Sequence, residues 1–319
     1  MVFKALRESY PEIHLAGVVH RRSRVLLEHN PHVNQVFLFH KGPLAFRRLQ
    51  RELIAAGPWD AILQLSGNDP EPRCLSYLVD PDVTVSVPNM TRLSWLCGHQ
   101  VEPPDWHDTH SVEQTLRIAH YVGANTQKPH LVYEVNEEER ARLAERLRPL
   151  LLAARPRLVL QLGGRPSASW RDWPVVRYAQ LLRLIHAHQL PSEIFILGDE
   201  DQEERRRELD AFFAGEAKPY HNMVGKLSLT ESAALLASAR ALVSTDTGIL
   251  HHGFAVGTRV VALLHCNNPV DRRGPYLYGQ RHREVQLERP KNYRTPADAS
   301  MADIDAQTVF LQLREIWHE

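Results

Sequence analysis

Short runs of β-branched and apolar residues alternate along the whole chain with longer stretches in which apolar positions recur every three or four residues. Alternation of this kind predicts parallel sheet with helices on both faces. In the first half the predicted strands are Ile13–Val19, Val33–Phe39, Trp59–Leu65 and Val83–Val87. A helix is predicted over Pro43–Ala56, where Leu44, Leu49, Leu53 and Ile54 keep helical spacing with arginines between them, and Gly57-Pro58 ends it. Another falls near His110–Tyr121. After an apolar run over His130–Val135, a longer helix is predicted from about Glu137 to Ala153, opened by Asn136 and Glu139 as a capping box.

From Arg157 the pattern restarts. Strands are predicted near Leu158–Leu162, Ile194–Leu197, Ala241–Ser244, Arg259–His265 and Glu284–Leu287. The helices between them are Pro174–His188, Asp201–Phe213, Leu229–Ala239, Gly248–Val256 and a terminal one from Asp305. The boundary is placed near residue 155, at Ala153-Ala154-Arg155-Pro156, which divides the chain into domains 1–154 and 155–319. One oddity stands at the front. A doubly wound domain opens on a buried central strand whose following loop faces the ligand crevice. This chain opens on Val2–Tyr10, where Phe3, Leu6 and Tyr10 share a helical face, so the first strand and its loop are expected to be missing.

Composition narrows the class. A chain of 319 residues with 43% apolar and 24% charged residues is an ordinary globular one of about two domains, which excludes disorder, collagen and coiled-coil arrays. Thirty-eight Lys+Arg balance thirty-eight Asp+Glu, so the overall field expected of a nucleic-acid binder is absent, and no nucleic acid is expected as partner. The balance is uneven locally: Lys4, Arg7, Arg21, Arg22, Arg24, Lys41, Arg47, Arg48 and Arg51 face only Glu8, Glu12, Glu28 and Glu52. That stretch suits anionic lipid or a phosphorylated saccharide, or is simply a solvated helix face. Cys74, Cys97 and Cys266 lie far apart, which fits a reducing cytoplasm and no disulfide framework. No apolar run approaches a membrane span. Among the 18 histidines there is no i, i+4 pair and no HExxH, so neither a metal nor a cofactor is expected.

The sharpest chemical signal is residues 241–252, Ala-Leu-Val-Ser-Thr-Asp-Thr-Gly-Ile-Leu-His-His. A buried strand stops, polar residues turn the chain, and Gly248 opens a helix whose free N–H groups and dipole suit a diphosphate. Thr247 and His251 add side-chain donors. The bland alternative has Asp246 or Thr247 as a plain N-cap and His251 as a packed helix residue. A second loop, residues 160–174, carries Gly163 and Gly164, which permit close backbone approach, with Ser167 and Arg171 beyond them. Both loops leave the C-terminal ends of parallel strands and should meet over one crevice. In a third, the acidic run Glu200–Glu204, Glu203 is a candidate for a ribose hydroxyl, although first-turn helix residues complementing the dipole explain it as well. No GxGxxG or GxxxxGK[ST] occurs, which argues against a nicotinamide site or a P-loop.

The run Gly163-Gly164…Arg171-Asp172-Trp173-Pro174, then Val224–Glu231, Ser244–His251, Val261–His265 and Asn268-Pro269…Gly274-Pro275 resembles glycosyltransferase family 9, the lipopolysaccharide heptosyltransferases and their relatives. The likeness extends to Asp303–Val309 and, more loosely, to Pro31–Val36 and Trp59-Asp60. It implies a GT-B fold, two Rossmann-like doubly wound domains facing across a crevice, with the donor held by the second. It further implies that Asp246, Thr247, Gly248 and His251, with Arg171, bind the diphosphate of a nucleotide-diphosphate sugar of the ADP-heptose kind, and Gly164, Ser167 and Glu203 join them as donor-binding candidates on the loop chemistry alone. Arg171 stands where relatives commonly carry lysine, and His252 and Gly253 where small or apolar residues are usual. Relatives also carry a candidate base on a glycine-aspartate loop after their first strand, and no residue here matches it. Asp69, His107, Asp108 and His110 are the stand-ins, each more simply explained as a turn or cap residue. The resemblance therefore leads to an inverting, metal-independent cytoplasmic transferase acting on a lipid-linked or core saccharide, with peripheral contact to the inner membrane. Two other readings remain, a sugar-nucleotide-binding protein impaired in transfer and a GT-B-like sugar-nucleotide epimerase.

Overall fold

The computed structural model describes every residue except 29, 66–69, 88–95, 97, 102–108, 128–129, 151–153, 165, 269–273 and 275–280, and for 22, 99 and 100 the backbone alone. The chain divides into two compact units, Met1–His130 and Leu131–Glu319.

The first unit contains α1 (Val2–Ser9), β1 (Ala16–His20), α2 (Val25–Glu28), β2 (Gln35–Phe39), α3 (Pro43–Ala56), β3 (Ala61–Gln64), α4 (Pro70–Val79), β4 (Val83–Ser86), β5 (His99–Gln100) and α5 (Ser111–Tyr121). Its strands form two parallel ladders, β1-β2 and β3-β4-β5, and among the described residues no ladder joins β1 to β3. Side chains bridge them instead. Val2 and Leu6 of α1 and Ala119 of α5 cluster with Leu15 and Leu63. Leu49 and Leu53 of α3 and Leu75 of α4 cluster with Phe37, Ala16 and Trp59. Strand β1 is correspondingly half open, with Val18 43% exposed. Helix α4 escaped prediction because Pro70 and Pro72 suggest a break, yet proline fits the first turn, where no intrahelical N–H bond is lost. Arg7, counted among the surface cations, is structural: its guanidinium donates to the carbonyls of Pro11 (2.7 Å), Ile13 (2.6 Å) and His32 (3.3 Å) and to Asn34 Oδ1 (2.5 Å).

The second unit runs α6 (Glu137–Leu147), β6 (Arg157–Gln161), α7 (Val175–Ala187), β7 (Glu193–Leu197), α8 (Glu203–Ala211), β8 (His221–Asn222), α9 (Leu229–Ser238), β9 (Ala239–Thr245), α10 (Gly248–Ala255), β10 (Arg259–Leu264), β11 (Arg283–Gln286) and α11 (Ala306–His318). Its six strands pair in parallel in the order β11-β10-β9-β6-β7-β8. Alternate residues feed two cores. Leu158, Leu160, Val243, Val261 and Leu263 meet α7, α8 and α11 on one face. Val159, Leu242, Val260 and Leu264 meet α6, α9 and α10 on the other. Burial on both faces explains why these strands read as nearly continuous apolar runs, each fully buried side chain contributing roughly 1.5–3 kcal/mol.

Residues 131–150 pack with this second unit, upstream of residue 155, near which the pattern restarts. Leu143 and Leu147 of α6 close against Leu235 and Leu236 of α9, and the Asn136–Glu139 capping box that opens α6 is formed in both directions. Helix α6 is shorter than its predicted extent because Pro149 follows, and the chain tightens into a single turn over Arg148–Leu150. Among the described residues, the apolar run near His130–Val135 joins no ladder. There the Tyr133 amide donates to the Ala255 carbonyl at the end of α10 (3.2 Å).

Candidate functional site

The site grows from the C-terminal ends of β6 and β9, adjacent strands at the centre of the six-stranded sheet. After β6 the chain enters Gly163-Gly164, where a Cβ on Gly163 would lie 2.5 Å from Gln202 Oε1 and 3.0 Å from Asp172 Oδ2, so a side chain there would push the Gln202 and Asp172 side chains aside. The loop is braced from beneath. Gly164 N–H donates to Asp172 Oδ1 (2.9 Å), Gln161 Nε2 to the Gly163 carbonyl (2.5 Å), and the Gln202 amide to the Gly164 carbonyl. Arg205 donates to the carbonyls of Leu162 (3.1 Å) and Trp173 (2.5 Å). Burial pushes the Asp172 carboxyl above the usual aspartate value, against the pull of the Gly164 N–H, Arg205 and Arg171.

Beyond the loop, a short turn over Pro166–Arg171 ends at Trp173, which is buried and donates its indole N–H to the Ile304 carbonyl (2.8 Å). This anchor fixes Arg171. Its Nη1 donates to Asp246 Oδ2 at 3.1 Å, its guanidinium carbon lies 5.9 Å from the Trp170 ring centre, and its buried Nε has no hydrogen-bond partner among the described residues. Trp170 in turn stands edge-on to His265, with centroids 4.7 Å apart.

Asp246 follows β9 and is only 6% exposed. Besides Arg171 it accepts from Asn268 Nδ2 (2.7 Å) and lies 3.4 Å from His251 Nε2. Burial opposes its ionisation, but His251, Arg171 and Asn268 outweigh that and hold its pKa below the ordinary aspartate value. Thr247 occupies the N-cap position of α10 without a side-chain capping bond; its hydroxyl faces Ser244 Oγ at 3.4 Å. The first-turn amides of Gly248 and Ile249 therefore end α10 with no capping side chain. Gly248 is exposed, with open space where a Cβ would project. Next to it, the Thr247 methyl would lie 3.2 Å from a Cβ on Gly164.

Of the residues singled out from the sequence, Gly164, Arg171, Asp246, Thr247, Gly248 and His251 thus converge. Ser167 lies in the exposed turn before Arg171. Glu203 begins α8 and is ion-paired with Arg206 (2.6 Å) and Arg207 (3.4 Å), which hold its carboxyl low. Its neighbour Gln202 is the residue that reaches the glycine loop. Sequence reasoning misses Asp172, Gln202, Arg205 and Asn268: Asp172 and Asn268 lie inside matched motifs and Gln202 is next to Glu203, whereas no signal in the sequence marks Arg205. Asp69, His107 and Asp108 fall outside the described residues. His110 caps α5, its Nδ1 accepting from the Val112 amide (3.2 Å).

The two unusual residues after His251 have local causes. A Cβ on Gly253 would lie 2.6 Å from Leu242 Cδ2, so glycine lets α10 lie close on β9. His252 stacks on Tyr133, with centroids 6.0 Å apart and planes at 12°, and burial together with the nearby His251 lowers its pKa to about 4. Among the described residues no group of three or more His, Cys, Asp or Glu is placed to hold a metal ion. No helix among them is long and apolar enough to cross a membrane.

Comparison with known proteins places this geometry. No curated protein matches the sequence. Among solved structures, a glycosyl transferase of family 9 from Veillonella parvula is similar with a TM-score of 0.84 at 17% identity, covering 99% of this chain and 92% of that one. The E. coli ADP-heptose LPS heptosyltransferase II gives 0.78 at 19% identity (99% and 93% covered). The E. coli heptosyltransferase WaaC with ADP-2-deoxy-2-fluoro heptose gives 0.68 at 18% identity (98% and 94% covered). These likenesses establish the fold, α/β of the GT-B type. The sequence model of glycosyltransferase family 9 (heptosyltransferase) matches residues 47–300, a stretch that includes both loops of the site. Because that match spans most of the chain, the protein belongs to glycosyltransferase family 9.

Proposed function

We propose that this glycosyltransferase moves heptose from a nucleotide-diphosphate sugar of the ADP-heptose kind to a lipopolysaccharide core or related glycan, with inversion and without a metal ion. The observation that supports this reading is the uncapped first turn of α10 set beside Arg171, whose buried Nε has no partner among the described residues. A diphosphate satisfies both at once: its oxygens accept from the amides of Gly248 and Ile249, and the guanidinium offsets the negative charge. As the glycosidic bond to the diphosphate breaks, charge builds on the leaving oxygen, and donors already in place stabilise it without reorganisation.

Asp246 has a different part. A carboxylate facing a diphosphate would repel it, so the role assigned to Asp246 is to orient Arg171, His251 and Asn268. Gly164 and Thr247 line the donor side, Ser167 extends it, and Glu203 is assigned to the ribose. The acceptor is assigned to the first unit, and the setting to the cytoplasmic side of the inner membrane in peripheral contact with lipid. Calorimetry with ADP and with the ADP-sugar, paired with a nucleotide-release assay in the presence of acceptor, tests the reading. Tight binding with acceptor-dependent ADP release is the expected result. Binding with no release under any acceptor would instead support a donor-binding protein impaired in transfer.

A further inference from the structure

Helix α3 has one face in the core of the first unit, where Leu49 and Leu53 pack with Phe37 and Leu75, and an opposite face left open. Positions 44, 47, 48, 51, 54 and 55 recur at spacings of three and four and so share that outer face. They are Leu44, Arg47, Arg48, Arg51, Ile54 and Ala55, all exposed, and the exposed Lys41 precedes them. Leu44 is 83% exposed and Ile54 53%. Only Arg48 is answered, by Glu52 at 2.9 Å; among the described residues Lys41, Arg47 and Arg51 form no ion pair. Helix α4, packed beside α3, exposes Tyr77 and Leu78 as well.

A single exposed leucine on a soluble surface means little. A stripe in which cations alternate with protruding aliphatic side chains, on a helix whose inner face is already buried, is a different object. Anionic phosphates would take the guanidinium and ammonium groups, and only a phase with an apolar layer just beneath its phosphates also takes Leu44 and Ile54. Nucleic acid offers the charge but no such layer. We propose that the outer face of α3 docks the protein on an anionic lipid bilayer, with Lys41, Arg47 and Arg51 at the headgroups and Leu44 and Ile54 at the headgroup–acyl boundary. The four cations against Glu52 supply the complementary charge in a chain whose formal total is zero. Arg7, although part of the same basic stretch, takes no part, because its guanidinium is spent on backbone carbonyls.

The inference deepens the lipid-side part of the proposed function, and vesicle binding is read without donor or acceptor, so the two can fail separately. The test is flotation of the full chain with phosphatidylglycerol-containing vesicles and with pure phosphatidylcholine vesicles, at low and high salt. Binding is expected to the anionic vesicles only, weakening with salt. Each cation removed near the surface should lower partitioning roughly fivefold, so the combined Lys41→Ser, Arg47→Ser, Arg51→Ser variant should fall on the order of a hundredfold. Leu44→Ser with Ile54→Ser should lower it about tenfold at either salt concentration. A control removing three exposed cations elsewhere, Arg140→Ser, Arg142→Ser and Arg207→Ser, should leave binding unchanged, and circular dichroism should show every variant folded. Equal binding to neutral vesicles, no binding to either kind, or an equal loss in the control would overturn the proposal.

Discussion

Truncating Arg171 to alanine probes the donor side at one guanidinium. Its side chain is 24% exposed and pairs with Asp246 at 3.1 Å. Partial exposure limits that pair to about 1 kcal/mol of fold stability. The Arg171→Ala melting temperature should therefore drop by only about 2–4 °C, with the unit still folded. The ligand feels more. One charge-assisted hydrogen bond to the diphosphate is worth about 1.5–3 kcal/mol, so ADP should bind roughly 10- to 150-fold more weakly. The truncation also leaves Asp246 at the site without its arginine, and the carboxylate then repels the anion more strongly, which pushes the loss toward the upper end. Arg171→Lys keeps the charge but not the fork, and should recover about tenfold of the affinity. Titration calorimetry with ADP and a thermal melt measure the two quantities on the same samples. If Arg171→Ala binds ADP within about twofold of the parent protein while its melt shifts as expected, the diphosphate is held elsewhere and the assignment of the α10 start is wrong.

Three further outcomes follow from geometry. In Gly253→Ala, overpacking against Leu242 at 2.6 Å and Val260 at 3.3 Å should cost about 1–3 kcal/mol. The better helix propensity of alanine returns about 1 kcal/mol, so a lower urea midpoint is expected and an unchanged or raised one would count against the close α10–β9 contact. Asn136→Ala removes one side of the capping box and should cost about 1 kcal/mol, read by the same titration. With pH the two site aspartates act in opposite directions. Asp246, held low, contributes stability that is fully present above its unfolded value of 3.8 and is lost as pH falls through its folded pKa, so Asp246→Asn should flatten the acid limb of the stability curve. Asp172, held high, binds its proton more readily when folded. Its ionised form costs stability near neutrality and the cost disappears as pH falls through the raised value, so Asp172→Asn should leave stability at neutral pH unchanged or higher.

Where local chemistry decides, the sequence was readable. The ends of α3 follow from Pro43 and from Gly57-Pro58, and the start of α10 follows from a strand stopping at polar residues before Gly248. The meeting of the two loops follows from the rule that parallel strands bring their C-terminal ends together. What escaped depends on packing between distant residues. Nothing local tells that Leu143 and Leu147 pack against α9, because the pairing of two helices some ninety residues apart leaves no mark in either helix's own pattern. Asp172, Gln202 and Arg205 look like ordinary polar residues until the glycine loop lies over them. Charge counting placed Arg7 on the surface because it weighs carboxylates and ignores carbonyl oxygens.

The two ladders of the first unit bear on how each unit carries a mechanical load. In the second unit a force applied where β9 ends passes through hydrogen-bonded neighbours on either side, and six strands share it. In the first, the described backbone offers no such route from β1 to β3, and the strain passes through side chains such as Leu15 against Leu63 and Ala16 near Trp59. Among the described residues, sliding one ladder past the other breaks no ladder hydrogen bond between them and rearranges van der Waals contacts, each individually weak. The first unit should therefore yield to load more readily than the second. Amide exchange should register this as slower opening in β6, β9 and β10 than in β1 and β3.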